Sequence, residues 1–254
     1  MSAVLPTAVL PETMAALPVV PPVSVAIARS AARFPVRRVF CIGRNYWWQA
    51  GEKDAVLGPD RDEREAPFFF MKPSDALVPA SGDIAYPPAT ASFCHEVELV
   101  IAIGKDGADI PAESALSHVW GYALGLDLTR RDLQLDAKAA GRPWEGAKAF
   151  DASAPITPLV PVAPAPHGGL SAADQHPESG AIWLAVNGEV KQQADLSDQI
   201  WQPKDLIRFL SKSVTLRAGD LIFTGTPVGV SALQRGDVIT AGIDGLSELS
   251  VTIV

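Results

Sequence analysis

The 254-residue sequence contains no block of Lys or Arg and no run of about 18 apolar residues. At a formal net charge of −8, the first absence argues against a nucleic-acid surface, and the second argues against a transmembrane helix. The N-terminus is apolar, but prolines interrupt it and it lacks a basic segment, so we do not expect a signal peptide. Cys41 and Cys94 lie in apolar segments, which favours reduced core thiols in a cytoplasmic protein, with a disulfide as the alternative.

The chain is expected to form one main domain, since 48% of its residues are apolar, enough for a sizeable core. Residues 1–35 are proline-rich and predict an extended arm or a small strand pair, and residues 36–254 form the main domain. Short apolar runs alternate with turn residues there, including a hairpin with Asn187-Gly188 at its turn. Helices are expected around 130–139 and in QPKDLIRFLSKSV. The pattern predicts a β-rich α+β fold with few short helices, not a doubly wound sheet.

The segment FCHEVELVIAIG, residues 93–104, has the composition of a buried strand but contains Glu96 and Glu98. Side chains alternate along a strand, so both carboxylates share one face, and Asp127 ends the next apolar run. Three carboxylates without grouped His or Cys favour a hard cation such as Mg²⁺, Mn²⁺ or Ca²⁺. The spacing alone, however, is more typical of ordinary acids on a solvated strand face.

Several neighbouring features favour a binding site, although each by itself is more often structural. FTGTPVGV, residues 223–230, places Thr224 and Thr226 among glycines, where N–H groups and hydroxyls can approach an anion. Lys72 and Lys148 lie in apolar contexts and are predicted either to pair with an acid or to extend to the surface.

Eight stretches from about residue 38 to the C-terminus carry a family resemblance: CIGRNY, PFFFMKPSDALV, HEVELVIAIG, GYALGLDLTRRDLQ, KAFD, VNGEVKQQADLSDQIW, LRAGDLIFTGTPVGV and GDVITAGIDGLSEL. In order and spacing they resemble the fumarylacetoacetate hydrolase family. The resemblance implies a mixed β-sandwich roll in a homodimer, and a divalent metal held by Glu96, Glu98 and Asp127. It also implies a small 2-oxo or 1,3-dicarbonyl acid as substrate. Within the family, the chain looks most like the fumarylpyruvate hydrolases of aromatic-compound breakdown.

The resemblance also implies roles for further residues. Lys148 would lie beside the metal and supply positive charge to the reacting oxyanion. Thr226 and neighbouring main-chain N–H groups would bind the pyruvate carboxylate, and Arg44, Tyr46 and Gln134 would bind the rest of the substrate. The implied reaction is metal-dependent hydrolysis of a carbon–carbon bond in an acylpyruvate such as fumarylpyruvate.

The family's lid motif, N-Y-x-x-H-x-x-E, is altered in this chain: Glu52 is present, but Gln49 stands at the histidine position. Glutamine can orient a water molecule but cannot accept its proton near neutral pH, so either Glu52 alone or a metal-bound hydroxide would do the work of the base. Three functions stay open: the hydrolase, a decarboxylase or isomerase of a 2-oxo or enol diacid, and a non-catalytic relative. Retention of the three acids, Lys148 and TGTP argues against the third.

Overall fold

The computed structural model describes residues 21–47, 66–162 and 176–254. These residues form seventeen strands: β1 Ser24–Ala26, β2 Arg33–Pro35, β3 Val39–Gly43, β4 Phe68–Lys72, β5 Leu77–Pro79, β6 Ser81–Ile84, β7 Phe93–Cys94, β8 Val97–Ile103, β9 Val119–Leu126, β10 Thr129–Arg130, β11 Ala154–Ile156, β12 Val160–Pro161, β13 Ala181–Val186, β14 Glu189–Asp195, β15 Leu221–Phe223, β16 Val238–Ile243 and β17 Leu249–Ile253. Four short helices accompany them: α1 Ala112–Ala115, α2 Arg131–Ala139, α3 Glu145–Lys148 and α4 Pro203–Ser213.

Two sheets organise the strands. The larger has the order β4-β3-β15-β8-β9-β11-β5, with β12 also paired to β9, and the smaller has the order β14-β13-β16-β17-β6. Both sheets mix parallel and antiparallel pairs. Two further two-stranded pairs, β1-β2 and β10-β7, lie outside these sheets. This confirms the predicted β-rich α+β fold with few short helices.

Strand β8 is central because both of its faces are buried. Its residues 97, 99, 101 and 103 belong to the main apolar core, which also contains residues of β13, β16, β17 and α4. Val100 and Ala102 point the other way, into a second core that includes Phe34 of β2 and Phe223 of β15. Burial on both faces explains the nearly continuous apolar run, and Glu98 falls on the same face as Val100.

Local sequence signals account for the hairpin and for the longest helix. Asn187 and Gly188 have φ values of 52° and 82°, and they connect β13 to β14 in the tight turn that Asn-Gly favours. Helix α4 begins with Pro203 at its first position and buries Leu206, Ile207 and Leu210. None of the helices in the described ranges combines the length and apolarity needed to cross a bilayer.

The strand predicted over FCHEVELVIAIG, residues 93–104, is wrong at its start. Phe93–Cys94 forms the separate short strand β7, and β8 begins only at Val97, so Glu96 lies just before it. At this end of β8 the Val97 N–H donates to the side chain of Gln192. Within the predicted N-terminal arm, β1 and β2 pair antiparallel, and the domain boundary at residue 35 stays a prediction. Residues 48–65, which include Gln49 and Glu52 of the lid motif, and residues 163–175 lie outside the described residues.

Candidate functional site

Pairing of β8 with β9 brings the three predicted acids together. Val97 lies opposite Leu126, and the Asp127 N–H donates to the Glu96 carbonyl, so the pairing continues past the ends of both strands. Each acid offers an oxygen within 4.8 Å of the others. Glu96, Glu98 and Asp127 are only 7%, 1% and 1% exposed, so the alternative of a solvated strand face is wrong.

Two lysines from other elements compensate part of this negative charge. Lys148, the last residue of α3, places its Nζ 2.7 Å from both Glu96 Oε2 and Asp127 Oδ2. It also donates to Thr129 Oγ1 at 2.6 Å. Lys72, which ends β4, lies with its Nζ 2.9 Å from Asp127 Oδ1 and donates to the carbonyl of Leu128. Both lysines are buried, so they pair with acids and do not extend to the surface.

The pKa values of the acids follow from burial and from these neighbours. Burial raises the pKa of Glu98 well above its ordinary value, and the charges of Asp127 and Glu96 raise it further. The pKa of Glu96 is also raised by burial, although Lys148 opposes the shift. Burial acts in the same direction on Asp127, but Lys148 and Lys72 outweigh it and lower the pKa of that carboxyl. Closely spaced carboxylates whose pKa values are raised by burial and mutual repulsion fit a cation placed among their oxygens.

The donor chemistry also fits a hard divalent ion. Three carboxylates offer only oxygen ligands, and neither a thiol nor an imidazole belongs to this group among the described residues. Glu98 is held in place from the far side because its Oε2 accepts a hydrogen bond from the Gly225 N–H at 2.7 Å. Glu96, Glu98 and Asp127 could therefore hold a divalent metal.

The acids line a cavity of about 500 Å³. All eight predicted site residues that the structure describes line this cavity: Arg44, Tyr46, Glu96, Glu98, Asp127, Gln134, Lys148 and Thr226. Gln49 and Glu52 lie outside the described residues, so their roles stay predictions. Thr224, in contrast, is fully buried, and its hydroxyl donates to the Leu99 carbonyl, so it does not line the cavity.

The sequence analysis missed one wall of the cavity. Arg131 and Lys138 lie on the α2 face that carries Gln134, and Arg131 Nη1 donates to Gln134 Oε1 at 2.7 Å. Trp144 stands next to them, with Lys138 Nζ 4.7 Å from its ring centroid. Phe68 packs edge-on against Trp144 at 5.9 Å between centroids. The spacing of residues 131, 134 and 138 is helical, and this signal could have identified the two cations.

The chain is similar in sequence and in fold to several known proteins. The family model for the fumarylacetoacetate (FAA) hydrolase C-terminal domain matches residues 38–254. A fumarylpyruvate hydrolase from Ralstonia sp is 41% identical over 74% of this chain and 93% of that protein. The mitochondrial oxaloacetate tautomerase FAHD1 of Mus musculus is 38% identical over 83% of this chain and 88% of that protein. The crystal structure of a fumarylpyruvate hydrolase from Pseudomonas aeruginosa in complex with Mn²⁺ and pyruvate has a TM-score of 0.82 and 50% identity, covering 92% of this chain and 96% of the other.

Proposed function

Because this chain belongs to the fumarylacetoacetate hydrolase family, we propose that it is a divalent-metal-dependent enzyme that hydrolyses a carbon–carbon bond in an acylpyruvate such as fumarylpyruvate. The observation that carries the proposal is the buried group of Glu96, Glu98 and Asp127 facing a cavity of about 500 Å³. The ion is Mg²⁺ or Mn²⁺, and the structure of the Pseudomonas aeruginosa relative with Mn²⁺ and pyruvate supports this choice. We further propose a cytoplasmic homodimer that acts in aromatic-compound catabolism.

In the proposed reaction, water adds to the acyl carbonyl carbon, and the bond from that carbon to the neighbouring methylene breaks. The electron pair stays on the methylene carbon, which takes up a proton, so fumarylpyruvate gives fumarate and pyruvate. Glu96, Glu98 and Asp127 would hold the divalent ion, which would supply Lewis-acid stabilisation of the negative charge on the pyruvyl part. Lys148 keeps Glu96 and Asp127 in place and adds positive charge beside them.

The remaining residues bind the substrate and prepare the water molecule. Arg44, Tyr46 and Gln134 line the cavity and contact the substrate, while residues 226–230 receive the pyruvyl carboxylate. Glu52 acts as the base that takes a proton from water, and Gln49 orients that water through hydrogen bonds.

The cavity wall formed by Phe68, Arg131, Lys138 and Trp144 favours a long, planar diacid over a four-carbon acid as substrate. Phe68 and Trp144 offer ring surfaces against which a conjugated chain can stack. Arg131 and Lys138 lie beside these rings and offer positive charge to a distal carboxylate. This combination of aromatic and cationic groups matches the fumaryl part of fumarylpyruvate.

A second function is favoured by one specific observation, which is Gln49. Tautomerisation or decarboxylation of a 2-oxo diacid needs no water activated by a lid base, and oxaloacetate tautomerases are among the relatives. A non-catalytic protein is disfavoured, since buried carboxylates and lysines are costly to keep without a use.

A substrate panel tests the proposal. Purified protein with Mn²⁺ or Mg²⁺ is given fumarylpyruvate, and loss of its ultraviolet absorbance is followed together with release of pyruvate. Unchanged absorbance over hours would refute the hydrolase, and turnover of oxaloacetate alone would select the second function. Gln49→His adds a discriminating arm, because a restored base should accelerate hydrolysis, by up to roughly 10²–10⁴-fold, and leave tautomerisation unchanged.

A further inference from the structure

A chain of buried hydrogen bonds supports the cavity wall formed by residues 226–230. Gln192 of β14 is fully buried, and its Nε2 donates to Thr226 Oγ1 at 2.8 Å and to the Pro227 carbonyl at 2.7 Å. On its other side, Gln192 Oε1 accepts from the Val97 N–H at 3.2 Å and from His95 Nδ1 at 2.9 Å. The same side chain therefore bonds the wall and the segment that precedes β8.

The donor and the acceptor of each hydrogen bond around Gln192 can be assigned in only one way. The Val97 N–H can only donate and the Pro227 carbonyl can only accept, so the orientation of the Gln192 amide is fixed by two main-chain partners. His95 must then carry hydrogen on Nδ1, and its Nε2 bonds Ser231 Oγ at 2.8 Å. His95 is also fully buried, so no solvent competes for these bonds.

The Thr226 hydroxyl already takes part in two of these hydrogen bonds. That hydroxyl donates to the Val97 carbonyl at 2.8 Å and accepts from Gln192, so its hydrogen is directed away from the cavity. The main-chain N–H groups of Thr226, Val228 and Gly229 have no acceptor within the described ranges, and all three residues line the cavity. Main-chain N–H groups beside a cavity and without an acceptor can bind an anion.

Strand β14 also fixes the wall by direct contact. Gly229 has φ of +98°, and a Cβ at this position would lie 1.9 Å from the Lys191 carbonyl oxygen. Only glycine permits such an approach, so the wall lies directly against the residue that precedes Gln192. Two neighbouring residues of β14 thus determine where residues 226–230 lie.

We propose that Gln192, held by His95, is a positioning residue that fixes residues 226–230 so that their main-chain N–H groups bind the carboxylate at the pyruvyl end of the substrate. The inference rests on the proposed function for the identity of that carboxylate. It assigns the contact to the main chain, and it gives the Thr226 hydroxyl a supporting role.

Gln192→Glu tests the proposal because it removes only half of the bonds. The carboxylate still accepts from His95 and Val97, but it has no N–H to donate to Thr226 and Pro227. Gln193→Glu is the matched control, since this neighbouring side chain is exposed on the other face of β14. Gln192→Met serves as a second variant that introduces no charge.

The readout is binding and does not require turnover. Calorimetry gives the Kd of Mn²⁺ and then the Kd of pyruvate for the Mn²⁺-loaded protein, and thermal unfolding checks the fold. With two hydrogen bonds to the wall removed, both Gln192 variants should bind pyruvate roughly 10-fold more weakly. Their Mn²⁺ affinity should stay unchanged, and Gln193→Glu should match wild type in both measurements.

Three results would overturn the proposal: wild-type pyruvate affinity in both folded Gln192 variants, loss of fold in both variants, or no binding of pyruvate by the wild-type protein. If the wild type binds pyruvate and the Gln192 variants bind it selectively more weakly, the proposal stands even when fumarylpyruvate is not cleaved. In that case the hydrolase function alone would fail.

Discussion

Glu98→Gln should remove most of the stabilisation that a bound divalent metal gives to the folded protein. Glu98 is buried, and its pKa is raised by burial and then by Asp127 and Glu96. Replacing its carboxylate by an amide removes a destabilising charge from the metal-free protein, while the amide oxygen can still accept from the Gly225 N–H. The same change removes one of three metal ligands. We therefore expect a metal-free variant at least as stable as wild type near pH 7, and a variant that Mn²⁺ stabilises much less.

The size of the effect follows from binding linkage. Mn²⁺ at 100 times its Kd stabilises the folded protein by about 2.7 kcal/mol. For a domain of this size that corresponds to a rise in Tm of about 5–10 °C. Loss of a ligand should weaken binding by at least about 100-fold, the upper range for residues that only support ligands. At the same Mn²⁺ concentration the stabilisation then falls to about 0.4 kcal/mol, or about 1 °C.

The pH dependence gives a second readout of the same group. An unfolded glutamate titrates near pH 4.3, and the folded pKa of Glu98 lies above this value, so between the two pKa values the folded protein binds more protons. The contribution of Glu98 to metal-free stability therefore decreases as pH rises through that window. The Tm of Glu98→Gln minus that of wild type, measured in chelator, should be small near pH 4 and should grow towards pH 7.

Glu113→Gln is the matched control, because Glu113 is exposed on α1. It should keep the wild-type Tm in chelator and the full rise with Mn²⁺. Thermal unfolding with chelator and with Mn²⁺, at several pH values, measures all three proteins. A wild-type rise in Tm for Glu98→Gln on addition of Mn²⁺ would refute the metal assignment of Glu98.

Three further predictions concern other parts of the chain. Lys148→Met should lower the free energy of unfolding in chelator by about 3–5 kcal/mol, because it leaves buried carboxylates unpaired. In the same urea titration Lys204→Met, which removes an exposed ion pair, should lower it by about 1 kcal/mol or less. Lys138→Met should raise KM for fumarylpyruvate by several-fold. It should leave KM unchanged for an analogue that has a methyl group in place of the distal carboxylate. Equal changes for both substrates would contradict the role of Lys138 in binding that carboxylate. Gly188→Ala should destabilise by about 1 kcal/mol because of its φ of +82°, and Gly146→Ala, whose φ is not positive, should not.

Local sequence signals predicted much of the fold because they act over a few residues. The Asn187-Gly188 turn, helix α4 and the apolar strand β8 each carry their own signal in propensity or periodicity. The start of β8 at Val97 has no such signal, because the side chain that accepts from the Val97 N–H belongs to Gln192, which is 95 residues away.

In the candidate site, too, local sequence signals do not report contacts between residues that are distant in the sequence. Spacing placed Glu96 and Glu98 on one face but could not show that this face is buried. The lysine that pairs with Glu96 there is Lys148, which is 52 residues away. The alternation of β14 implies that Gln192 and Gln193 face opposite sides. It does not tell which one is inside, because the irregularity between Leu184 and Ala185 shifts the pairing register of the hairpin.

The charge balance explains why these acids and lysines are buried together. Glu96, Glu98 and Asp127 contribute three negative charges, and the ammonium groups of Lys72 and Lys148 contribute two positive ones. An uncompensated buried charge is costly, and its cost appears in the raised pKa of Glu98. A monovalent cation would only neutralise the group, whereas a divalent cation leaves one net positive charge facing the cavity. That excess positive charge favours a substrate on which negative charge grows during the reaction, such as an acid that forms an enolate. We infer that Lys72 and Lys148 set the net charge of the site to suit a divalent ion, and that they do not replace the metal.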